Sequence, residues 1–432
     1  MDSHCQTWLP VGGGMNGFAG LLCVYNNKLY VGGSYTMAGG VPANDIAVWN
    51  GSKWDSLGSG IKYKSGGGLD DIMGYDSVFY VSGQFYGAGN DSARSIAQWN
   101  GLSWDSVGVG ITNKVGWNVE GLCVYKGELY AGGNFIAYGC GIQYIIRWNG
   151  VKWDSVGNGI YGVPFASTVY NGKLYVGGEM DSAAGSKVNN IASWDGAKWD
   201  SVGSGLNGIV FSLSVYNGKL YAGGTFTKAG GKSANNIAVW NDTTWSALGS
   251  GLTGSPVQVN GICGYKGNIY AGGQLTNAGG TSVKNIAKWD GTKWSPVGAG
   301  LGGGAFNLVW NIAVYDSTLY AGGGFDSSGN TAISNIAMLN DTLTGINELT
   351  NNKERVQVYP NPSNGTFTIS IDNITSKAEM EVYNMLGQSI YQDRLNKNTT
   401  EINLTSQPAG IYLYRVVSEK GEYMSSGKLI IQ

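Results

Sequence analysis

The chain repeats one phrase, and its first copy is only the end of that phrase. A tryptophan, a short β-prone run and two glycines recur as "KWDSLGSGI" at Trp54, "SWDSVGVGI" at Trp104 and "KWDSVGNGI" at Trp153. The phrase returns as "KWDSVGSGL" at Trp199, "TWSALGSGL" at Trp245 and "KWSPVGAGL" at Trp294. The chain opens on an isolated copy, "QTWLPVGGGM", at Trp8. Three other elements recur between the phrases, at a spacing of roughly 46–50 residues. The first ends at Tyr25, Tyr75, Tyr125, Tyr170, Tyr216, Tyr265 and Tyr315. An LYxGG-like element follows each of these, and then IAxW, with Leu339 in place of Trp in the last copy.

Each unit therefore holds four β-prone runs, here termed a (…VY), b (LYxGG), c (IAxW) and d (WDSVG). The a–b links read "NNK", "NGK" or "KGE" and the c–d links "NGS", "NGL" or "DGT". Asn-Gly and Asp-Gly supply the positive φ that two-residue hairpin turns demand, so a unit is expected to be a four-stranded antiparallel meander. Such a unit cannot bury both faces alone, so its copies must stack.

Runs a, b and c occur seven times, but after Ile336–Leu339 comes "NDTLTGINEL", which lacks the tryptophan of d. The missing seventh d is the run around Trp8. The expectation is an all-β fold, a seven-bladed β-propeller in which the N-terminal strand closes the ring by pairing onto the last blade. Most tryptophans then serve packing between blades.

Composition narrows the function classes. With a net charge of -2 and 13% charged residues, the chain offers no basic face for nucleic acid. It also has no apolar run near the roughly 18 residues of a membrane span. Cys23, Cys123 and Cys263 occupy one slot in three different units and read as small buried apolar residues. Cys5 and Cys140 pair only if the fold brings them together. The single histidine, His4, lies in the terminal tail, which removes Ser-His-Asp, Cys-His and multi-histidine metal sites. No metal or cofactor is expected.

The doublet Gly32-Gly33 after run b, with Trp49 and Trp54 on c and d, resembles kelch-type propeller repeats over residues 6–340. Residues 341–354 are polar and read as a linker, and 355–432 alternate like a small immunoglobulin-like β-sandwich. That last segment resembles the type A C-terminal sorting domain of the type IX secretion system of Bacteroidota. The matching residues are Tyr359-Pro360-Asn361-Pro362, Asn364-Gly365, Val382-Tyr383-Asn384 with Leu386-Gly387, Pro408-Ala409-Gly410-Ile411-Tyr412, and Gly427-Lys428-Leu429-Ile430-Ile431.

The resemblance implies export across both membranes, with the translocon and its sortase as partners. It also implies an extracellular or outer-membrane-surface location. A signal peptide is implied as well, and "MDSHC" is none, so the numbering is expected to start at a mature or engineered terminus. Asp-Ser/Thr before an apolar residue, as at Ser56, Ser155 and Ser201, resembles that phylum's O-glycosylation sequon; the same "WDSV" is also simply the repeated d strand.

Candidate binding residues follow from the periodicity. Short hairpins define one face of the ring, and the long b–c and d–a connections define the other. Five residues before each strand-a tyrosine stand Gly20, Asp70, Glu120, Phe165, Phe211, Asn260 and Trp310. These are expected to ring the mouth of a central channel. One arc is acidic and another aromatic, which suits stacking on a sugar face with carboxylates taking its hydroxyls, or equally a cation or basic peptide. Loop-base aromatics that merely plug the channel are the structural alternative. Tyr63, Trp117 and Tyr161 in the d–a loops are secondary candidates. The favoured reading is a secreted or surface-attached binding propeller for glycan or protein. The alternatives are a carbohydrate-active enzyme using Asp70 and Glu120, or a structural surface unit without a small ligand.

Overall fold

The a–b links form the tight turns their residues call for. In the computed structural model Tyr25 pairs with Lys28 across Asn26 (φ 46°) and Asn27 (φ 54°). Both central residues are left-handed, the type I′ geometry that matches the twist of the flanking strands. The c–d links differ from the two-residue expectation. Trp49 pairs with Trp54, so residues 50–53 form a four-residue loop. There Gly51 alone has a positive φ, at 96°. Asn50 Oδ1 accepts the N–H of both Ser52 and Lys53, each at 3.0 Å. Asparagine and aspartate are thus needed at this link for a side-chain cap more than for backbone freedom.

The structure describes residues 6–64, 66–111, 118–137, 141–254, 256–341, 356–371, 378–384, 388–395, 397–418 and 423–432. Every regular element among them is a strand. Cys5, Cys140, Trp117, Gly387 and the linker from 342 onward fall outside these residues.

Residues Gln6–Asp341 form one compact unit. It holds seven separate antiparallel sheets, each following the path a-b-c-d, one of them with the extra short strand Ser186–Lys187. Six sheets take their strands consecutively, as in Phe18–Tyr25, Lys28–Ser34, Ile46–Trp49 and Trp54–Ser56. The seventh joins Val309–Tyr315, Thr318–Gly323 and Ile336–Asn340 to Thr7–Pro10 from the start of the chain. Trp8 lies opposite Leu339 in that ladder.

The core lies between sheets. Trp8, Val297, Leu301 and Leu339 pack with Tyr265 and Tyr270 between the sixth and seventh sheets. Tyr315, Tyr320 and Ile336 pack with Leu22, Val31 and Trp54 between the seventh and first. Six strand-d indoles are tied to the preceding unit. Trp54 Nε1 donates to the Val11 carbonyl, Trp104 to Leu57, Trp199 to Val156, Trp245 to Val202 and Trp294 to Leu248, at 2.8 to 3.3 Å. Trp8 donates to Val297 at 3.1 Å in the same way.

The glycine doublet has two different causes. A Cβ on Gly223 would meet Val259 Cγ1 of the next sheet at 2.6 Å, so this position sets the approach between sheets. A Cβ on Gly224 would meet the Ile209 carbonyl oxygen at 1.9 Å, within its own sheet. The b–c connections are also more ordered than a glycine-rich stretch suggests. They carry two-residue ladders such as Met37–Ala38 with Val41–Pro42, and Gly87–Ala88 pairs in addition with Ile61–Lys62 from the d–a segment.

In the C-terminal unit, a three-stranded and a four-stranded sheet share one core that includes Phe367, Met380, Leu395, Tyr412 and Leu429. Asn361 stitches the Tyr-Pro-Asn-Pro segment to the final strand: its Nδ2 donates to the Lys428 carbonyl at 2.6 Å and its Oδ1 accepts the Ile430 N–H at 2.9 Å. Gly410 pairs with Ile431, and Tyr412 Oη donates to the Pro408 carbonyl at 2.7 Å. Asn361→Ala removes both bonds and is expected to lower the stability of the isolated C-terminal unit by about 1–3 kcal/mol, read from its urea midpoint. An unchanged midpoint would show that the final strand is held without it.

Candidate functional site

Strands a and b are out of step by one residue at the same place in each sheet. Leu69 pairs with Gly83 but Asp71 with Ser82, so Asp70 is the extra residue of a β-bulge. By the same count Glu120, Phe165, Phe211, Asn260 and Trp310 are the extra residues of their own strands. In the first sheet the extra residue falls within Ala19–Gly20, between the pairs Phe18–Ser34 and Leu21–Gly32. A bulge breaks the alternation of a strand and re-aims a side chain. The backbone carbonyl that would strike a Cβ at Gly224 is that of Ile209, immediately before this bulge, and Gly224 itself pairs with the bulge's first residue, Val210.

Neighbouring a strands touch, and Val309–Tyr315 lies against Phe18–Tyr25, so successive bulge residues are neighbours. The Phe165 and Phe211 rings lie 5.3 Å apart. A Cβ on Gly20 would lie 2.3 Å from the Phe18 ring and 3.2 Å from Trp310 Cδ1, so Phe18 occupies the space the glycine leaves. Phe18 meets Trp310 edge-on at 5.7 Å and Phe306 at 5.5 Å. Trp310 is 38% exposed and Phe306 60%, an unusual exposure for large aromatics that have such partners.

The acidic arc is larger than the sequence count implied, because Asp71 joins it. Burial raises the Asp70 carboxyl to about 8, with the nearby Glu120 and Asp71 charges pushing the same way. Burial also raises Asp71 to about 6, against the pull of the Leu122 and Ile72 N–H groups. Leu122 donates to Asp71 at 2.7 Å across the sheet boundary, so this carboxylate works as a strut between neighbouring strands. Burial raises Glu120, which Asn118 opposes. Asp70 Oδ2, Asn118 Oδ1 and both polar atoms of the Asn260 side chain are buried without a protein partner. Buried polar atoms are nearly always paired, so these at and beside the bulges stand out, although others such as Ser82 Oγ and Trp49 Nε1 lie elsewhere in the repeat.

The secondary candidates do not all lie with these bulge residues. Tyr63 turns to a separate cavity, where its hydroxyl donates to Asp45 at 3.3 Å. Tyr161 is 63% exposed and meets Tyr144 edge-on at 5.9 Å. Asp71, Asn118, Phe18 and Phe306 were missed by the five-residue count. Phe18 alone had a signal, an aromatic two residues before the one glycine in the series. Among the described residues no group of three or more His, Cys, Asp or Glu side chains is placed to hold a metal ion. None of them forms a helix long and apolar enough to cross a membrane.

Residues 357–432 match the secretion system C-terminal sorting domain. Two curated relatives align over segments about as long as that domain. They are the ulvan lyase NLR42 of Nonlabens ulvanivorans, 34% identical over 77 residues, and an endo-acting ulvan lyase of Formosa agariphila, 33% identical over 78 residues. Each alignment spans 18% of this chain and only 14% and 15% of the respective lyase. Among solved structures, the extracellular domain of the hybrid two-component system BT4673 of B. thetaiotaomicron aligns over 98% of this chain and 58% of its own, with 11% identity and a TM-score of 0.47.

Proposed function

We propose, from the premise that residues 357–432 are a type IX sorting domain and mark a secreted or cell-surface protein, that the rest of the chain is a glycan-binding β-propeller. Its seven sheets would be the blades of a closed ring spanning residues 1–340, followed by the linker 341–354 and the exported tag 355–432. Closure is supported by the number of packed interfaces. An open stack of seven sheets has one interface fewer than sheets, whereas here an apolar cluster also joins the seventh sheet to the first. Tyr315 Oη reaches the Asn27 carbonyl at 3.4 Å, repeating across that joint the contact Tyr170 makes with Gly218.

The observation that carries the binding reading is the bulge in every strand a, which in six of the seven sheets carries a polar or aromatic side chain and would set it at one mouth of the ring. The fold needs the bulge but not a particular residue on it, and Asp70, Glu120, Phe165, Phe211, Asn260 and Trp310 are five residue types in six sheets. Asp70 and Glu120 offer hydroxyl-binding carboxyls, Asn260 an amide, and Trp310 with Phe18 and Phe306 an open stacking face. A sugar chain lying across the mouth meets both halves.

Trp310→Ala and Glu120→Gln are each expected to weaken the best ligand from a glycan array by at least about tenfold, equivalent to roughly 1.4 kcal/mol. Isothermal titration measures this, with thermal midpoints checked alongside. Unchanged affinity in both variants would remove the mouth as the binding site, and binding confined to basic peptides would replace the ligand class.

A second reading, hydrolysis by the same arc, is favoured by one observation. Burial beside Glu120 keeps Asp70 largely protonated near neutrality, as a general acid requires. Reducing-sugar release that is abolished by Glu120→Gln would support it.

A further inference from the structure

We propose that the cleft between the first and second sheets is a second ligand site, separate from the ring of bulge residues, that takes a pyranose bearing a carboxylate. A repeat protein offers an internal comparison, because other units show what an equivalent position does elsewhere in the same fold; at the position discussed here four units carry asparagine and the other three carry Asp45, Ser95 and Tyr144. Asn190, Asn236, Asn285 and Asn335 stand at one such position after strand b. Each donates through Nδ2 to a carbonyl at the start of the next d–a segment, respectively Leu206, Leu252, Leu301 and Met15, at 2.7 to 3.0 Å. Their equivalent in the first unit is Asp45, opposite Ile61. Asp45 Oδ1 keeps the asparagine's other role and accepts the Tyr35 N–H at 3.1 Å. Its second oxygen, when ionised, has no proton to donate.

A second pair departs at the same joint. Asn16 Oδ1 accepts the N–H of Thr36 and Met37, and its Nδ2 donates to Thr36 Oγ1 at 2.8 Å. Asn207 holds Thr227 and Lys228 in the same way. In the next joint round from Asn16, the equivalents of that asparagine and threonine are Lys62 and Tyr86, which cannot form the clamp. Tyr63 beside them replaces the glycine found at Gly17, Gly208 and Gly254.

All four departures line one cavity of about 510 Å³ together with Ser34 and Asn44. That volume lies in the range of small-ligand clefts. Asp45 and Lys62 leave out hydrogen bonds that their counterparts Asn190, Asn236, Asn285, Asn335, Asn16 and Asn207 make, Tyr63 and Tyr86 add two phenol rings, and all four side chains converge on one space. Their chemistry is complementary to an acidic sugar. Tyr86, 51% exposed, offers a stacking face at the rim. Asp45, at 4% exposure, lies at the base with Tyr63, where a carboxyl and a phenol take ring hydroxyls. Lys62 is exposed at the rim and faces no carboxylate in any ion pair found among the described residues, so its ammonium can meet the sugar's acid group.

The test restores the template. Lys62→Asn, Tyr63→Gly and Tyr86→Thr are introduced together in the full chain, which should retain or raise its thermal midpoint because the clamp is rebuilt. Tri-galacturonate and galactotriose serve as probes by isothermal titration and saturation-transfer NMR. Wild type is expected to bind tri-galacturonate at least about tenfold more tightly than galactotriose, and the restored variant to lose that binding. Trp310→Ala should leave it unchanged, which separates this site from the mouth of the ring. The proposal is overturned if wild type binds neither probe, if it binds both equally, or if the template-restored variant binds like wild type.

Discussion

Trp8→Ala is expected to destabilise the seven-sheet unit by about 3–5 kcal/mol, as large as any single substitution in this chain. Trp8 is 1% exposed, fills the cluster between the sixth and seventh sheets and donates to Val297 at 3.1 Å. The substitution therefore leaves a cavity and an unpaired buried carbonyl together. Trp54→Ala removes the same chemistry from a sheet whose four strands are consecutive, and provides the control. Deleting the first eleven residues goes further, because strand Ile336–Asn340 then presents a bare edge. A synthetic peptide spanning residues 6–13 should bind that edge and raise the midpoint of the deletion variant in a concentration-dependent way. Guanidinium titration followed by tryptophan fluorescence measures all three. A deletion variant with the parent's midpoint would mean that the seventh sheet is stable with three strands, and the account of the N-terminal strand would fail.

The second large effect is on pH dependence. Asp70 is raised from 3.8 to about 8, and Asp45 and Asp71 to about 6. In each case the folded state binds protons more tightly than the unfolded chain. The stability these groups contribute is complete below about pH 4, where both states are protonated, and is lost as pH rises through the folded value. All three contribute between pH 4 and 6, whereas from pH 6 to 8 the loss falls mainly to Asp70, with its neighbour Glu120 raised as well. The thermal midpoint is therefore expected to fall by roughly 5 °C from pH 6 to pH 8 in wild type. Asp70→Asn, which keeps the shape and removes the charge, should flatten that segment and reduce the slope from pH 4 to 6 without abolishing it, because Asp45 and Asp71 still contribute there. A midpoint that rises between pH 6 and 8, or a variant that changes only the acidic limb, would contradict the burial assigned to Asp70.

The same carboxyl shows where sequence reasoning stopped. Counting five residues back from each strand-a tyrosine selects Asp70, Glu120, Phe165, Phe211, Asn260 and Trp310, and every one is a bulge residue. The count works because the bulge sits at a constant distance from the a–b turn. It says nothing of Asp71, which alternation alone would not place beside its neighbour, or of Phe306, which reaches Phe18 from a loop. Tyr63 looked like a loop aromatic of the same kind, yet it belongs to the Asp45 cavity, because the cleft is made by two units whose sequences are read separately.

What the sequence determined by itself is what lies within about fifty residues, the four runs of a unit and their a–b turns, and what repetition adds to it, the sevenfold count and the displaced d strand at Trp8. These are local because antiparallel pairing of consecutive strands is written in alternation and turn residues, and periodicity multiplies one reading by seven. Only the tertiary structure decided that the c–d asparagine caps a four-residue loop, that the variable residue rides on a bulge, that Asp70 is held largely neutral near pH 7, and that Asp45, Lys62, Tyr63 and Tyr86 face one space. Each of those depends on burial and on side chains aimed from different sheets, and neither direction nor dielectric is encoded at any single position of the repeat.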